Sequence, residues 1–532
     1  MYHPHEPTGT ETNGGYDEDD FEYVEIRNTG LDTNCLFGVE FVDGIQFDFT
    51  YGNVGCVGPG EHVVVVRNFR AFTNRYPNWA GMNIAGEYEG SLDNGGEMLT
   101  LSTPLLDIDL DLDYSDGRGW PLSTDGAGHS LVPIVFNQQT NAYLDYGRNW
   151  RASTYRSGSP GEADPPPIFD IFINEIAAHT DVDMPPYDSD DWIELFNVAS
   201  TSISVTTSNW FLSDDPDDLK KWAMPPFVFG SSNWVSFDEI TGFHNPITSG
   251  FGLNKAGEQV YVSFLPGTAS DRVSDAIKFK GQENGVTWGR YRDGQIELYT
   301  MIPTRNAANM LAYTNRLVIS EIMYHPAPNE FNAEDNNEDE YIVIFNPNPF
   351  PVTMMSEGGP WRLDGEVGYT FPSNTVLGSS NYLTVVPFNP TNNVTRSNEF
   401  NLVYGLANGE IDIFGGWSGS LDNRGGRIAL EREQLPDLEG QDSSWVIVDE
   451  VIYFDRDSWP FEADGSGAAL HRLDNDVAGN APSNWAPGNP SLNSPDIGLG
   501  PLVVNSAATG IGDTSATLNG ALLSTGTAPA QV

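Results

Sequence analysis

The feature that most limits what this chain can fold into is a set of short words that returns, in the same order, about 320 residues downstream. Met1-Tyr2-His3-Pro4 reappears as Met323-Tyr324-His325-Pro326, and Ser91-Leu92-Asp93-Asn94 as Ser420-Leu421-Asp422-Asn423. Trp120-Pro121 becomes Trp459-Pro460. Asp125-Gly126 followed by Leu131 becomes Asp464-Gly465 followed by Leu470, and Asn149-Trp150 becomes Asn484-Trp485. Colinear matches of this kind mark one architecture used more than once. A more divergent copy lies between them: Ile173-Asn174-Glu175-Ile176 parallels Ile319-Ser320-Glu321-Ile322, and Trp192-Ile193-Glu194-Leu195-Phe196-Asn197 parallels Tyr341-Ile342-Val343-Ile344-Phe345-Asn346. Tyr23 to Asn28 gives the third version of that second word.

The copies run over 1–162, 168–315 and 316–493, with joints such as Asp164-Pro165-Pro166-Pro167 that favour extended, semi-rigid chain. Residues 500–532 read as the start of a further β-domain. Met1 aligns with Met323, which follows the strand-like run Leu317 to Ile322, so the first copy is expected to lack its opening strand. On that basis the chain is expected to be a piece of a longer polypeptide, with any export signal upstream.

Each copy reads as β. Glycine (55) and proline (36) recur between short apolar runs, aromatics reach 12%, and helical periodicity is scarce. Glu340, Ile342 and Ile344 alternate with Tyr341, Val343 and Phe345, and Val63–Val66 and Leu383–Val386 are β-branched runs. Leu92 to Leu99 places glycines where a hairpin needs positive φ. The one helical stripe is Phe69, Phe72 and Tyr76 within Arg67–Tyr76. The expected fold is all-β: tandem immunoglobulin-like sandwiches with a partial C-terminal β-domain.

In order, these pieces resemble the bacterial lamin tail domain family, found repeatedly in large exported and surface proteins. The resemblance covers about 1–493: the opening strand at Ile173–Ile176 and Ile319–Pro326, the strand ending in Asn at Trp192–Asn197 and Glu340–Asn346, and a Trp-led hairpin at Trp210–Asp214 and Trp361–Asp364. The first copy lacks the Trp-led hairpin, and the third has Gly426 where the others have Glu97 and Glu258. Ser515–Gly520 is similar to a strand of fibronectin-type-III-like modules. The resemblance implies a non-catalytic structural, adhesion or interaction module of an extracellular or cell-surface protein, acting on a protein or glycan partner alongside further domains of the same polypeptide.

Charge narrows the partners. Seventy-five acidic against 25 basic side chains leave −50 net, which repels nucleic-acid phosphates and anionic lipid. No apolar run reaches the ~18 residues a membrane helix needs, so neither nucleic-acid binding nor membrane insertion is expected. No Gly-x-Ser-x-Gly, His-Glu-x-x-His or phosphate-cradling loop occurs, and no catalytic site is expected in the chain.

Calcium is the one cofactor the residues suggest. Asp107, Asp109, Asp111 and Asp113 alternate with apolar residues, so a strand would line them up with Asp116 in the next turn. Asp111, Asp113 and Asp116 are the candidate metal ligands, although the spacing departs from a calcium loop and a solvated strand face explains the same row. Calcium-dependent ligand binding through acidic loops is therefore the alternative function, and accessory service to an enzyme encoded elsewhere is a third. Acidic clusters at Asp17–Asp20, at Asp188, Asp190 and Asp191, and from Glu334-Asp335 to Asp339-Glu340 precede the second strand of each copy. His3 and His325 share one turn, and Trp120 and Trp459 are expected to plug core or edge. Cys35 and Cys56 could form one bridge in an oxidising compartment.

Overall fold

The computed structural model describes the chain except residues 104–107, 137–140, 181–188, 246–248, 313–315, 333–335, 408–411, 437–442, 493–501, 510–516 and 525–532. Strands dominate, arranged as separate sheets rather than a closed barrel, so the protein is all-β and sandwich-type. Two compact units divide it, Met1–Ala312 and Tyr313–Val532.

In the second unit, one sheet runs in the order Ile413–Gly415, Tyr382–Val386, Tyr341–Phe345, Val318–Met323, Ala469–Arg472, Trp485–Gly488. The facing sheet contains Val367–Thr370, Arg362–Gly365, Gly425–Gln434 and Ser444–Phe454. Strand residues alternate between faces. Ile342 and Ile344, both 0% exposed, therefore share one face, while Tyr341 and Val343 lie on the other and pack with Phe400 of the helix Val394–Val403. A separate two-stranded ladder pairs Leu502–Thr509 with Thr517–Ser524.

In the first unit, residues 171–311 repeat this plan: Trp234–Asp238, Trp192–Asn197, Ile171–Ala177, Thr287–Arg290 and Leu298–Ile302 are neighbours in that order, ending at Met310–Leu311. The central strand carries the same irregularity in both places. The register shifts between Ile173 and Glu175, and between Ile319 and Glu321, so Asn174 and Ser320 are extra residues in their ladders.

The N-terminal part of this unit departs from the plan at one lane. Tyr23–Arg27 pairs with His62–Val66, which pairs in parallel with Ile84–Glu87, while Leu131–Pro133 and Trp150–Ala152 form a separate two-stranded ladder. The second sheet, Ile108–Ser115, Gly96–Thr103, Glu40–Asp43 and Ile45–Asp48, is present. As the apolar stripe predicts, a helix forms at Phe69–Arg75; Asn68 caps it by accepting the Arg70 and Ala71 amides, and Phe72 is fully buried against Tyr23, Val64 and Val66.

Within this unit the two sandwiches share a packed joint. Ala127 buries with Phe211, Leu219, Tyr261 and Leu265, and Arg148 forks onto Glu297 with contacts of 2.8 and 3.0 Å.

Candidate functional site

The acidic row behaves as a solvated strand face. Asp109, Asp111 and Asp113 alternate with Leu110, Leu112 and buried Tyr114 on Ile108–Ser115. Asp111 accepts the hydroxyl of its cross-strand partner Thr100 at 2.8 Å; Asp113 is exposed, and its amide donates to Asp145. The Asp116 amide reaches the Gly95 carbonyl at 3.5 Å. Asp107 lies outside the described residues. The structure does not gather Asp111, Asp113 and Asp116, and among the described residues no group of three acidic, His or Cys side chains is placed to hold a metal.

Acids of the clustered loops are engaged by nearby groups of the chain. Asp17 and Asp20 accept each other's amides, and Asp20 also accepts the Asn68 side chain. Buried Asp191 accepts the amide and hydroxyl of Thr180, and burial, with Glu239 nearby, pushes its carboxyl up to about 7. Asp188, Glu334 and Asp335 lie outside the described residues. The last acid before the second strand anchors a repeated word: Glu22 accepts the Leu92 amide at 3.0 Å, and Glu340 accepts the Leu421 amide at 3.0 Å. Burial drives Glu22 up to about 7 and Glu340 up to about 8.

Other recurring words have equally local partners. His3 meets Asp125 at 2.6 Å and His325 meets Asp464 at 2.5 Å, each ring lying over the glycine that follows the aspartate. A Cβ on Gly126 or Gly465 would come within 3.3 or 3.1 Å of the ring, and both glycines have positive φ. Burial opposes protonation of His3, but Asp125 and Glu18 outweigh it and raise its pKa. Trp120 stacks near Trp150 and Trp459 near Trp485, with centroids 6.4 and 6.0 Å apart. Where the third copy has Gly426, the Glu366 side chain fills the space a Cβ would take. Cys35 and Cys56 face each other across paired strands and are joined as a disulfide.

The first sandwich has a cavity of about 330 Å³ between Tyr23–Arg27 and Leu131–Pro133. Val24, Ile26, Leu101, Leu110, Leu112 and Trp150 supply apolar walls, with Glu25, Arg27, Ser159 and Asp164 among its polar lining. Sequence reading did not find this cavity, because its walls come from strands far apart in the chain. At one end, Met1 exchanges backbone hydrogen bonds with Tyr23, at 3.1 and 3.2 Å, as Met323 pairs with Tyr341.

No family model and no curated protein matches the chain. Among solved structures it is similar to a DUF4876 family protein from Bacteroides thetaiotaomicron, at 10% identity over 55% of this chain and 90% of that one, with a TM-score of 0.24. A score that low carries no argument about fold or activity.

Proposed function

We propose that the chain is a non-catalytic array of lamin-tail-like, immunoglobulin-like sandwiches that spaces or presents other parts of a bacterial extracellular or cell-surface protein. The observation that carries this reading is the use of the repeated words. Glu22 and Glu340, His3 and His325, and Trp120 and Trp459 are all engaged within their own sandwich, tying turns to strands. Residues kept in register between copies therefore serve construction. The Cys35–Cys56 disulfide supports an oxidising compartment, and the net charge of −50 favours solubility and partners that are uncharged or cationic. Such a partner is a protein or glycan, with further domains of the same polypeptide.

Small-angle scattering of the full chain tests the spacer role. A single globule of this length has a radius of gyration of about 24 Å. An array is expected to exceed that well, with a tailed distance distribution, and a value at the globule's figure overturns the spacer reading.

A further inference from the structure

In each of the two later sandwiches, one buried glutamate of the opening strand holds the segment by which the chain leaves. Glu321 on Val318–Met323 is 2% exposed; it accepts the Ser491 amide at 2.8 Å, the Leu492 amide at 3.1 Å and the hydroxyls of Ser491 and Tyr341. Glu175 on Ile171–Ala177 is 0% exposed; it accepts the Thr304 amide at 3.0 Å and the hydroxyls of Thr304 and Thr287. Both follow the extra ladder residue, Ser320 or Asn174, and a bulge re-aims the side chains beside it.

The exit is held by other groups as well. The Leu492 carbonyl accepts the Thr384 hydroxyl at 2.6 Å, and the Leu492 side chain, 1% exposed, is buried with Met323, Tyr341 and Val386. His471 Nε2 donates to the Asn489 carbonyl at 3.0 Å. In the second sandwich, the Asn309 side chain donates to the Asn174 carbonyl at 3.1 Å and to the Arg290 carbonyl at 2.8 Å.

Two features set this arrangement apart from ordinary packing. A carboxylate taken out of water is costly unless it is paired or hydrogen-bonded, and an apolar side chain would avoid that cost; yet both sandwiches bury a glutamate here and give it donors from the exit. The second feature is the edge it guards. Trp485–Gly488 is the edge of its sheet, paired with Ala469–Arg472. A pull on the chain beyond Leu492 acts on that edge, whose bonds could open one after another. Before they can, the Glu321 bonds must break together and Leu492 must leave the core.

We propose that Glu321, and Glu175 in its own sandwich, is a tension clamp. It ties the opening strand directly to the exit, so a load drawn along the chain passes through this carboxylate and bypasses the edge strand. Its purpose rests on the spacer role, which sets such a load on the chain; its existence does not.

The test is constant-force spectroscopy of the full chain held by its two ends, with the third sandwich recognised by a step of roughly 600 Å, at ~3.5 Å per extended residue over Val318–Leu492. Glu321→Gln keeps the volume but turns an amide toward the exit donors. It should shorten the lifetime of that sandwich under load by about tenfold or more, since forced unfolding follows the unfolding rate and hydrogen bonds to a charged group are strong enough to move it that far. Ser491→Ala, a milder change, should fall between this variant and the parent. Moving the second handle to Leu435→Cys, an exposed site just past Gly425–Gln434, takes the exit off the load path. In that geometry Glu321→Gln should leave the lifetime within about twofold of the same-handled parent. Equal shortening in both geometries overturns the proposal, because the glutamate would then only stabilise the fold; an unchanged lifetime in the end-held chain overturns it too. Scattering reads the spacer role apart: a globule's radius of gyration with the difference between geometries intact overturns that role and leaves the clamp standing.

Discussion

Asp339 and Glu340 are adjacent in the chain, both have 0% exposed surface, and their carboxyl groups are driven in opposite directions. Burial acts to raise both. For Asp339 it is outweighed by the amides of Asn329, Asn332 and Asn336, at 2.7–2.9 Å, and by the Arg396 guanidinium. Glu340 has only the Leu421 amide on one oxygen, while its other oxygen has no hydrogen-bond partner, so it is held near 8. One turn thus contains a fixed anion and a carboxyl that holds its proton.

The Glu340 shift has a sign that can be measured. Between pH 4.5, its ordinary value, and about 8, the folded chain retains a proton the unfolded chain has released, so this residue lowers stability as pH rises through that window. Glu340→Gln keeps an oxygen for the Leu421 amide and removes the ionisation. The variant is expected to be more stable than the parent at pH 8 by roughly 2 kcal/mol, conservatively below the ~1.4 kcal/mol per pKa unit a rigid site would give. The advantage should close toward pH 4. Denaturant melts at the two pH values check it, and an equal difference at both would show that ionisation is not the cause.

For Asp339 the pH dependence reverses. Its carboxyl is held below the usual range, so its contribution is present above the ordinary carboxylate value and is lost as pH falls through the folded one. Asp339→Ala removes the buried carboxylate from Arg396, which keeps only the more exposed Glu338 and Glu399 carboxylates, at 3.5 Å, and should cost about 3 kcal/mol. Asp339→Asn, which keeps an acceptor, should cost less. Chemical denaturation at pH 7 separates the two; since both variants lack the charge, an Asp339→Asn protein as stable as the parent would show that the charge on Asp339 contributes nothing.

Sequence pattern reached the strands and the repeat but not most of what locks them. Alternation at Glu340–Phe345 and the stripe Phe69, Phe72, Tyr76 gave a strand and a helix because each depends on neighbouring residues alone. The extra residue at Asn174 and Ser320 is visible only once two strands are in register. Asp109, Asp111 and Asp113 do share a strand, but the Thr100 hydroxyl that Asp111 accepts and the Asp145 carboxylate beside the Asp113 amide come from elsewhere in the chain. At Gly426, which stands where the first copy has Glu97, the side chain of Glu366, sixty residues away in the chain, fills the gap, and no local pattern reports that exchange.

The Cys35–Cys56 disulfide closes a separation of 21 residues beside buried Leu36 and Val57, and both cysteines are exposed to reductant. Reduction should cost about 3 kcal/mol, the figure loop-closure entropy gives for a loop of this size. The loss should fall on the first unit, leaving melting of the second unchanged. Calorimetry with and without a phosphine reductant, alongside thiol titration of the denatured protein, checks this; a thiol signal before reduction would remove the bridge from solution.

His129 pins the joint inside the first unit, and its protonation gives that joint a pH limit. The ring is 1% exposed; Nδ1 donates to the Ser153 carbonyl at 2.6 Å, so Nε2 is left to accept the Val273 amide at 3.0 Å. That arrangement requires a neutral imidazole, and burial holds its pKa down at about 4. From pH 6.5 down to about 4, the unfolded chain therefore takes up a proton the folded chain refuses, and stability falls with pH across that window. His129→Phe keeps a ring but strands the Val273 amide, which should cost about 1–3 kcal/mol at pH 7. The variant's remaining stability should then fall less steeply on acidification. NMR of the imidazole supplies the decisive reading: its resonances should hold still between pH 7 and 5, and a midpoint near 6.5 would mean that water reaches the ring and the joint is open.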